Sequence, residues 1–302
     1  MLRDITMKFA HLRIFVLSFF VLVLIPAPLP AQDVPKDYQE VLTFLGRSGD
    51  FKANVLKVNI PRNDLHVNIA GQPTPTPFGF GGWVAMTKGD GGTEVLTGDL
   101  VLTQDEVNPV LSTLLDHGIE VTALHNHFFF DEPRIYFMHV HAHGDALSLA
   151  KAIKPALDLI PRPPASPPAA APAGPAFNIV TLDKIVGQKG EALGPVYKFT
   201  LGRDDLNLKE HGASINARMG LNSWAAFAGN ESDAQIAGDI AMRESEVNPV
   251  LKALRSHKLN IVAIHHHMLG TQSPVIFLHY WGRGNPEELA AGFRAALDVL
   301  GK

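Results

Sequence analysis

The chain repeats itself at domain length, and this constrains its fold more than any other feature. The stretch from Gly98 to Leu111 recurs from Gly238 to Leu251, 140 residues later, with the hexapeptide EVNPVL identical at Glu106 and Glu246. At the same displacement His117 matches His257, His125 matches His265, His127 matches His267 and His139 matches His279. Upstream the displacement is 141, pairing Val55 with Val196, Arg62 with Arg203, Asp64 with Asp205 and Trp83 with Trp224. A one-residue deletion in the loop Gly89–Gly92 accounts for the change. The period is too long for a solenoid, whose repeats run roughly 20–50 residues, so each copy is a domain in its own right. The boundaries follow: a leader at 1–31, a first domain at 36–160, a Pro/Ala-rich connector at 161–176 and a second domain at 177–302. Proline removes backbone donors and alanine offers little to bury, so the connector reads as an extended spacer.

Reading the copies together gives the elements. In copy one, 53–60, 65–69, 82–87 and 98–102 read as strands. Val107 to His117 reads as a helix. Thr103 is its N-cap, Glu106 stands at capping-box spacing, and Gly118 is the stop. Residues 121–127 and 134–143 form a hairpin, followed by a helix at 145–159 that Pro155 kinks. The fold class is therefore α+β: two tandem homologous domains, each a mostly antiparallel sheet with two packed helices, paired about a pseudo-twofold axis.

Composition narrows the function. A net charge of -4 leaves no basic excess for gripping nucleic-acid phosphates. Cysteine is absent, which excludes disulfides, thiolate metal sites, cysteine nucleophiles and cysteine lipidation. At the N-terminus Arg3, Lys8 and Arg13 precede the apolar run Ile14–Ile25, prolines, and Ala31-Gln32. Twelve apolar residues rise only ~18 Å as a helix against a ~30 Å hydrocarbon core. The segment therefore reads as a secretory signal cleaved after Ala31, and the mature protein as a soluble periplasmic or secreted one that does not span the membrane.

Histidine carries the chemistry. His125 and His127 share strand parity with Val121 and Ala123, and the next strand carries His139, His141 and His143 with one parity. With His125 opposite His139, all five project from one face. Copy two keeps His265, His267 and His279, adds His266 toward the opposite face, and has Trp281 and Arg283 for the last two. An H-x-H pair plus one histidine from the neighbouring strand supplies three nitrogen donors at about 2 Å, the set a divalent transition metal takes. Zinc leads, with copper, nickel, iron and manganese as alternatives. Without a metal, such rings repel when protonated and leave unpaired nitrogens when buried.

Glu106 and Glu246 head equivalent helices. They read as caps first, and as candidate catalytic bases beside the histidines second. His117 and His257 suit helix C-termini, where a cation is favoured. No G-x-S-x-G, H-E-x-x-H or phosphate-binding glycine loop is present.

Three functions remain open: a metal-binding protein for storage, sensing or delivery; a metal-dependent hydrolase or oxygen-handling enzyme; and a module that binds a non-metal ligand or a partner. Phe128–Phe130 reads as a rim for a ligand or as packing against the other copy. Copy two has Met268-Leu269-Gly270 there, so copy one is expected to hold the better metal site.

These motifs resemble the LppY/LpqO-like family of exported bacterial proteins. The resemblance rests on G-D-(L/I) at Gly98 and Gly238, EVNPVL at Glu106 and Glu246, A-(L/I)-H-x-H at Ala123 and Ala263, and F-x-H at Phe137 and Phe277. It covers nearly the whole mature chain in both copies. It implies export and a double-domain arrangement and supplies no reaction. The acylated cysteine of the lipoprotein members is missing, which implies a free rather than an anchored protein.

Overall fold

A computed structural model of the protein describes residues 33–162, 174–269 and 274–301. The leader read at 1–31 and most of the connector lie outside the described residues. Copy one runs α1 (Lys36–Leu45), β1 (Asp50–Lys52), β2 (Val55–Pro61), β3 (Val67–Ile69), β4 (Gln72–Thr74), β5 (Gly81–Lys88), β6 (Glu94–Thr103), α2 (Gln104–Asp116), β7 (Glu120–His125), β8 (Asp131–Glu132), β9 (Ile135–Gly144) and α3 (Ala146–Asp158). Copy two runs α4 (Ile179–Val186), β10 (Glu191–Leu193), β11 (Val196–Gly202), β12 (Lys209–Glu210), β13 (Ala213–Ser214), β14 (Asn222–Gly229), β15 (Ala234–Met242), α5 (Val247–Ser256), β16 (Asn260–His266), β17 (Ile276–Gly284) and α6 (Pro286–Leu297). Among the described residues no helix is long and apolar enough to cross a membrane.

Each copy builds one six-stranded antiparallel sheet, in the orders β1-β2-β5-β6-β9-β7 and β10-β11-β14-β15-β17-β16. The fold class read from the sequence holds, with a third helix in each copy. Helix α1 buries Tyr38, Val41 and Leu45, and it starts after Pro35, which gives it no side-chain cap like that of α2. The helices cover one face of each sheet. Val110, Leu114, Ile153 and Leu157 bury there against Leu100, Met138 and Val140, and copy two repeats the arrangement with Val250, Leu254 and Phe293.

The other faces of the two sheets meet. The segment from β3 to β5 packs Val67, Ile69, Phe78 and Phe80 with Val196, Ala226, Ala237 and Trp281 of copy two. The equivalent segment of copy two returns Leu208, Ile215, Met219 and Leu221 onto Val55, Ala85 and Val95. Each domain thus closes the inner face of the other, giving helix–sheet–sheet–helix layers. Polar contacts follow the same exchange: Gln72 donates to Asp233 at 2.8 Å, Arg218 to Asp50 at 2.8 Å, and Thr122 to the His267 carbonyl at 2.7 Å.

Two local features set where the histidines point. First, β9 lies between β6 and β7, so His139 has Asp99 on one side and Ala123 on the other. His279 sits likewise between Asp239 and Ala263. Second, a bulge lies between Val121 and Ala123, and another between Ile261 and Ala263. A bulge shifts side-chain parity. Val121 therefore turns into the helix-side core while Ala123 and His125 face the other sheet. The expected pairing of His125 with His139 is displaced by the same register: His125 lies opposite Phe137.

The capping reading of α2 holds. Thr103 and Glu106 form a capping box, and Gly118 follows the helix at φ 75°. Glu106 also accepts from the buried Arg62 at 2.7 Å, and Arg62 in turn donates to Asp64 at 2.8 Å and to the Val101 carbonyl at 2.7 Å. Copy two repeats this with Arg203, Asp205, Glu246 and the Ala241 carbonyl. The second expectation for Glu106 and Glu246, a base beside the histidines, is corrected here. Both carboxylates are engaged by an arginine and a helix N-terminus, and neither lines the cavity described below. Replacing Arg62, which is 1% exposed, by methionine should destabilise the fold by about 3–5 kcal/mol, since it strands a carboxylate pair. Guanidinium denaturation of R62M against wild type measures this.

Candidate metal centre

Where the inner faces meet, four imidazoles converge. His125 and His139 of copy one and His265 and His279 of copy two bring one nitrogen each to within 4.8 Å of one another. Ring centroids repeat the pseudo-twofold relation: 5.0 Å for His125–His139 and 4.8 Å for His265–His279, then 4.8 Å for His125–His279 and 5.0 Å for His139–His265. His125 and His265 face each other at 3.9 Å. The sequence pointed to one cluster on each hairpin, with the better one in copy one. The structure instead brings both hairpins to a single shared cluster, because the sheets pack face to face and the bulges aim both inward.

His127 and His267 form the next tier. His127 stacks between Phe137 at 3.3 Å and His279 at 3.6 Å, and His267 between Phe277 at 3.4 Å and His139 at 4.0 Å. Gly220, at φ 89°, passes so close that a Cβ would lie 3.3 Å from His267 Nδ1 and 3.2 Å from Trp83. His141 and His143 lie outside the cluster. His141 donates through Nδ1 to Glu120 at 3.0 Å, and its Nε2 is 2.8 Å from Glu210 of the other copy. The exposed His143 stacks on His211 at 3.9 Å. His117 and His257 end their helices as read.

The electrostatics fit ligation. Burial lowers His125 to about 4, and burial followed by neighbouring imidazoles takes His127, His265, His267 and His279 further down. His139 is lowered the same way, by burial and His125. The rings are neutral near pH 7, the form a metal binds. Nε2 of His125, His139, His265 and His279 is buried without a hydrogen-bond partner. Each such nitrogen costs about 1–3 kcal/mol unless something shares it. Three of the opposite nitrogens are held: His279 Nδ1 by the Gly238 carbonyl at 3.2 Å, His125 Nδ1 by the Asn126 carbonyl at 3.3 Å, and His139 by the backbone of Gly98, while His265 Nδ1 is buried without a partner. That is how proteins fix a ligating tautomer. An ion about 2 Å from four nitrogens sets them about 3.3 Å apart, so the rings would close in from separations of up to 4.8 Å.

Beside the cluster lies a cavity of about 550 Å³ between the copies, reached by His127, His267 and His279. One transverse row of each sheet lines it: Asn59, Trp83 and Asp99 leading to His139, and Thr200, Trp224 and Asp239 leading to His279. Asp239 Oδ2 is 3.7 Å from His267 Nε2. Burial pushes Asp99 up to about 8 and raises Asp239 well above the carboxylate range, with Asp99 adding to the latter. Reasoning from the sequence missed these residues as a site. For the tryptophan and aspartate pairs the signal was identity at fixed displacement, which also pairs Lys57 with Lys198; Asn59 and Thr200 differ. Of the phenylalanine run, Phe128 is buried against Phe78 and Phe80, and Phe130 packs 6.3 Å from Trp281. The run therefore joins the copies.

The chain belongs to the family described as Domain of Unknown Function (DUF1259), whose model matches it twice, at residues 39–159 and 180–299. No curated protein matches the sequence. Among solved structures, EtuB from Clostridium kluyveri aligns over 84% of this chain and 89% of its own at 10% identity and TM-score 0.21. A trimeric bacterial microcompartment shell protein, PduB, aligns over 81% and 86% at 13% identity and TM-score 0.20. Scores this low carry neither a shared fold nor a shared role.

Burial would lower the His141 pKa, but Glu210 and Glu120 more than reverse this and raise it above the ordinary imidazole value. Replacing His141 by leucine should cost about 1–3 kcal/mol of stability by leaving the nearly buried Glu210 without its partner. Thermal and urea unfolding of H141L reads this out.

Proposed function

For a chain that carries its family domain twice, we propose a protein that binds one divalent transition-metal ion between the copies, through His125, His139, His265 and His279. The supporting observation is the set of four neutral imidazoles, two buried and two half-buried, whose buried Nε2 atoms are unpartnered and converge. An all-nitrogen site without thiolates suits zinc first, then copper(II) or nickel, with iron(II) and manganese further down. Four protein ligands complete a tetrahedron, which favours holding or delivering the ion over Lewis-acid chemistry. The second reading is a metal-dependent hydrolase or oxygen-handling enzyme. It is favoured by the cavity that reaches His279, where an ion of higher coordination keeps a position open beside Asp99 and Asp239. Export belongs to the proposal, since the basic head and twelve-residue apolar run read as a cleaved leader.

A shared centre has a signature that two separate sites lack. Elemental analysis of zinc-loaded protein should find one ion per chain, and H125A or H265A alone should remove it while the fold persists. Two ions per chain, or retention of half the metal in either variant, sinks the proposal. N-terminal sequencing of protein recovered from the periplasm or culture medium should begin near Gln32; an intact Met1 there would refute cleavage.

A further inference from the structure

His127 and His267 are buried rings that the four-ligand centre leaves without a task. Both nitrogens of His127 and Nε2 of His267 are closed to solvent and have no hydrogen-bond partner among the described residues. His127 is 4% exposed and His267 8%. The nearest acid to His267 Nε2 is Asp239, at 3.7 Å, beyond a hydrogen bond. A histidine kept for packing puts a ring nitrogen on a carbonyl, hydroxyl or carboxylate. Phenylalanine in either place would keep the stack and leave no nitrogen stranded.

Their placement supplies the task. The cavity between the copies runs from an exposed rim at Asn59, Gly81 and Glu191 to buried walls at His127, His267 and His279. Of the four proposed ligands only His279 lines it. Nε2 of all four is closed to solvent, so an ion must pass other side chains to arrive. The two second-tier rings lie flat on ligands of the opposite copy, His127 on His279 at 3.6 Å and His267 on His139 at 4.0 Å. On their own strands they stand 5.3 Å from His125 and 5.2 Å from His265. Each therefore stands one ring away from the centre by two paths, on the side that the cavity reaches.

A divalent ion gives up its waters only as other donors replace them, because a bare charge in an apolar passage costs many kcal/mol. Phe137 and Phe277, stacked on the outer tier at 3.3 Å and 3.4 Å, offer no donor. The two histidines do. Zinc also accepts a fifth ligand in passing, so a neighbouring imidazole can bind before an earlier ligand leaves.

We propose that His127 and His267 are transfer ligands, which take an incoming ion from the cavity and hand it to His125, His139, His265 and His279. The inference rests on the metal reading and adds the route to it. A group that holds the ion only in transit lowers the barrier to entry and exit alike. Its loss therefore slows both by one factor and leaves the affinity unchanged.

Cobalt(II) is the probe, since its visible absorption marks arrival in a four-nitrogen site. Chelator-treated full chain is mixed with cobalt(II) in a stopped-flow instrument, and the loaded chain is then mixed with excess EDTA. H127A and H267A should each load and release at least about tenfold more slowly, and the double variant more slowly still, a barrier rise of about 1.4 kcal/mol per tenfold. Each should still bind one ion, with its competition midpoint against a chelator within about twofold of wild type. Alanine also widens the passage, so rings that merely plug it predict faster loading. Should an alanine variant fail to fold, H127F and H267F, which keep the stacked ring without its nitrogens, should slow loading and release by a common factor. Unchanged or faster loading, slowing of one direction alone, or loss of the bound ion in a single variant overturns the proposal. Wild type that takes up no cobalt refutes the metal centre and this route together, whereas normal wild-type loading with unaltered variants refutes the route alone.

Discussion

The face-to-face packing of two homologous sheets is the constraint on which the rest depends. Each sheet has helices on one side and must bury the other, and it does so on its twin. The two segments exchanged across the interface, Val67–Phe80 and Leu208–Leu221, make this reciprocal, since each supplies the apolar cover that the other domain lacks. Joining both copies in one chain turns what would be a bimolecular association into an intramolecular one. The interface is therefore formed at any protein concentration, and so is whatever it encloses.

What it enclosed is polar. Six imidazoles, two carboxyls and two ammoniums stand near the pseudo-twofold axis, in a layer where apolar residues would stabilise the fold more simply. Unpartnered nitrogens at the centre of a core are destabilising, and proteins keep such groups where function needs them. The structural polar groups of this chain look different. Arg62 and Arg203 satisfy their donors on carboxylates and carbonyls, leaving little for a ligand to take. The contrast between saturated arginine networks and unsaturated histidines separates scaffold from site.

The duplication, the antiparallel hairpins, the helix capped by Thr103 and Glu106, and the histidines as the chemical residues were legible from spacing and residue type. Helix α1 was not, because Pro35 at its start provides no side-chain cap of the kind that marks α2. Nor was the parity of Val121, since a bulge leaves no mark in an alternating pattern. The apparent set of five histidines in copy one therefore divided differently: His125, His127 and His139 point to the shared centre, while His141 was taken by Glu120 and Glu210.

Composition and repetition alone determined that two like domains are present, that thiolate chemistry is excluded, and that imidazole nitrogen is the available ligand. These properties are local or countable. Only the tertiary structure decided that the two hairpins share one centre instead of owning one each, and that Lys57, Asp99 and their counterparts stand beside it. Strand periodicity specifies the face a side chain leaves from. It is silent on which surface that face will meet, because that depends on burial summed over both sheets.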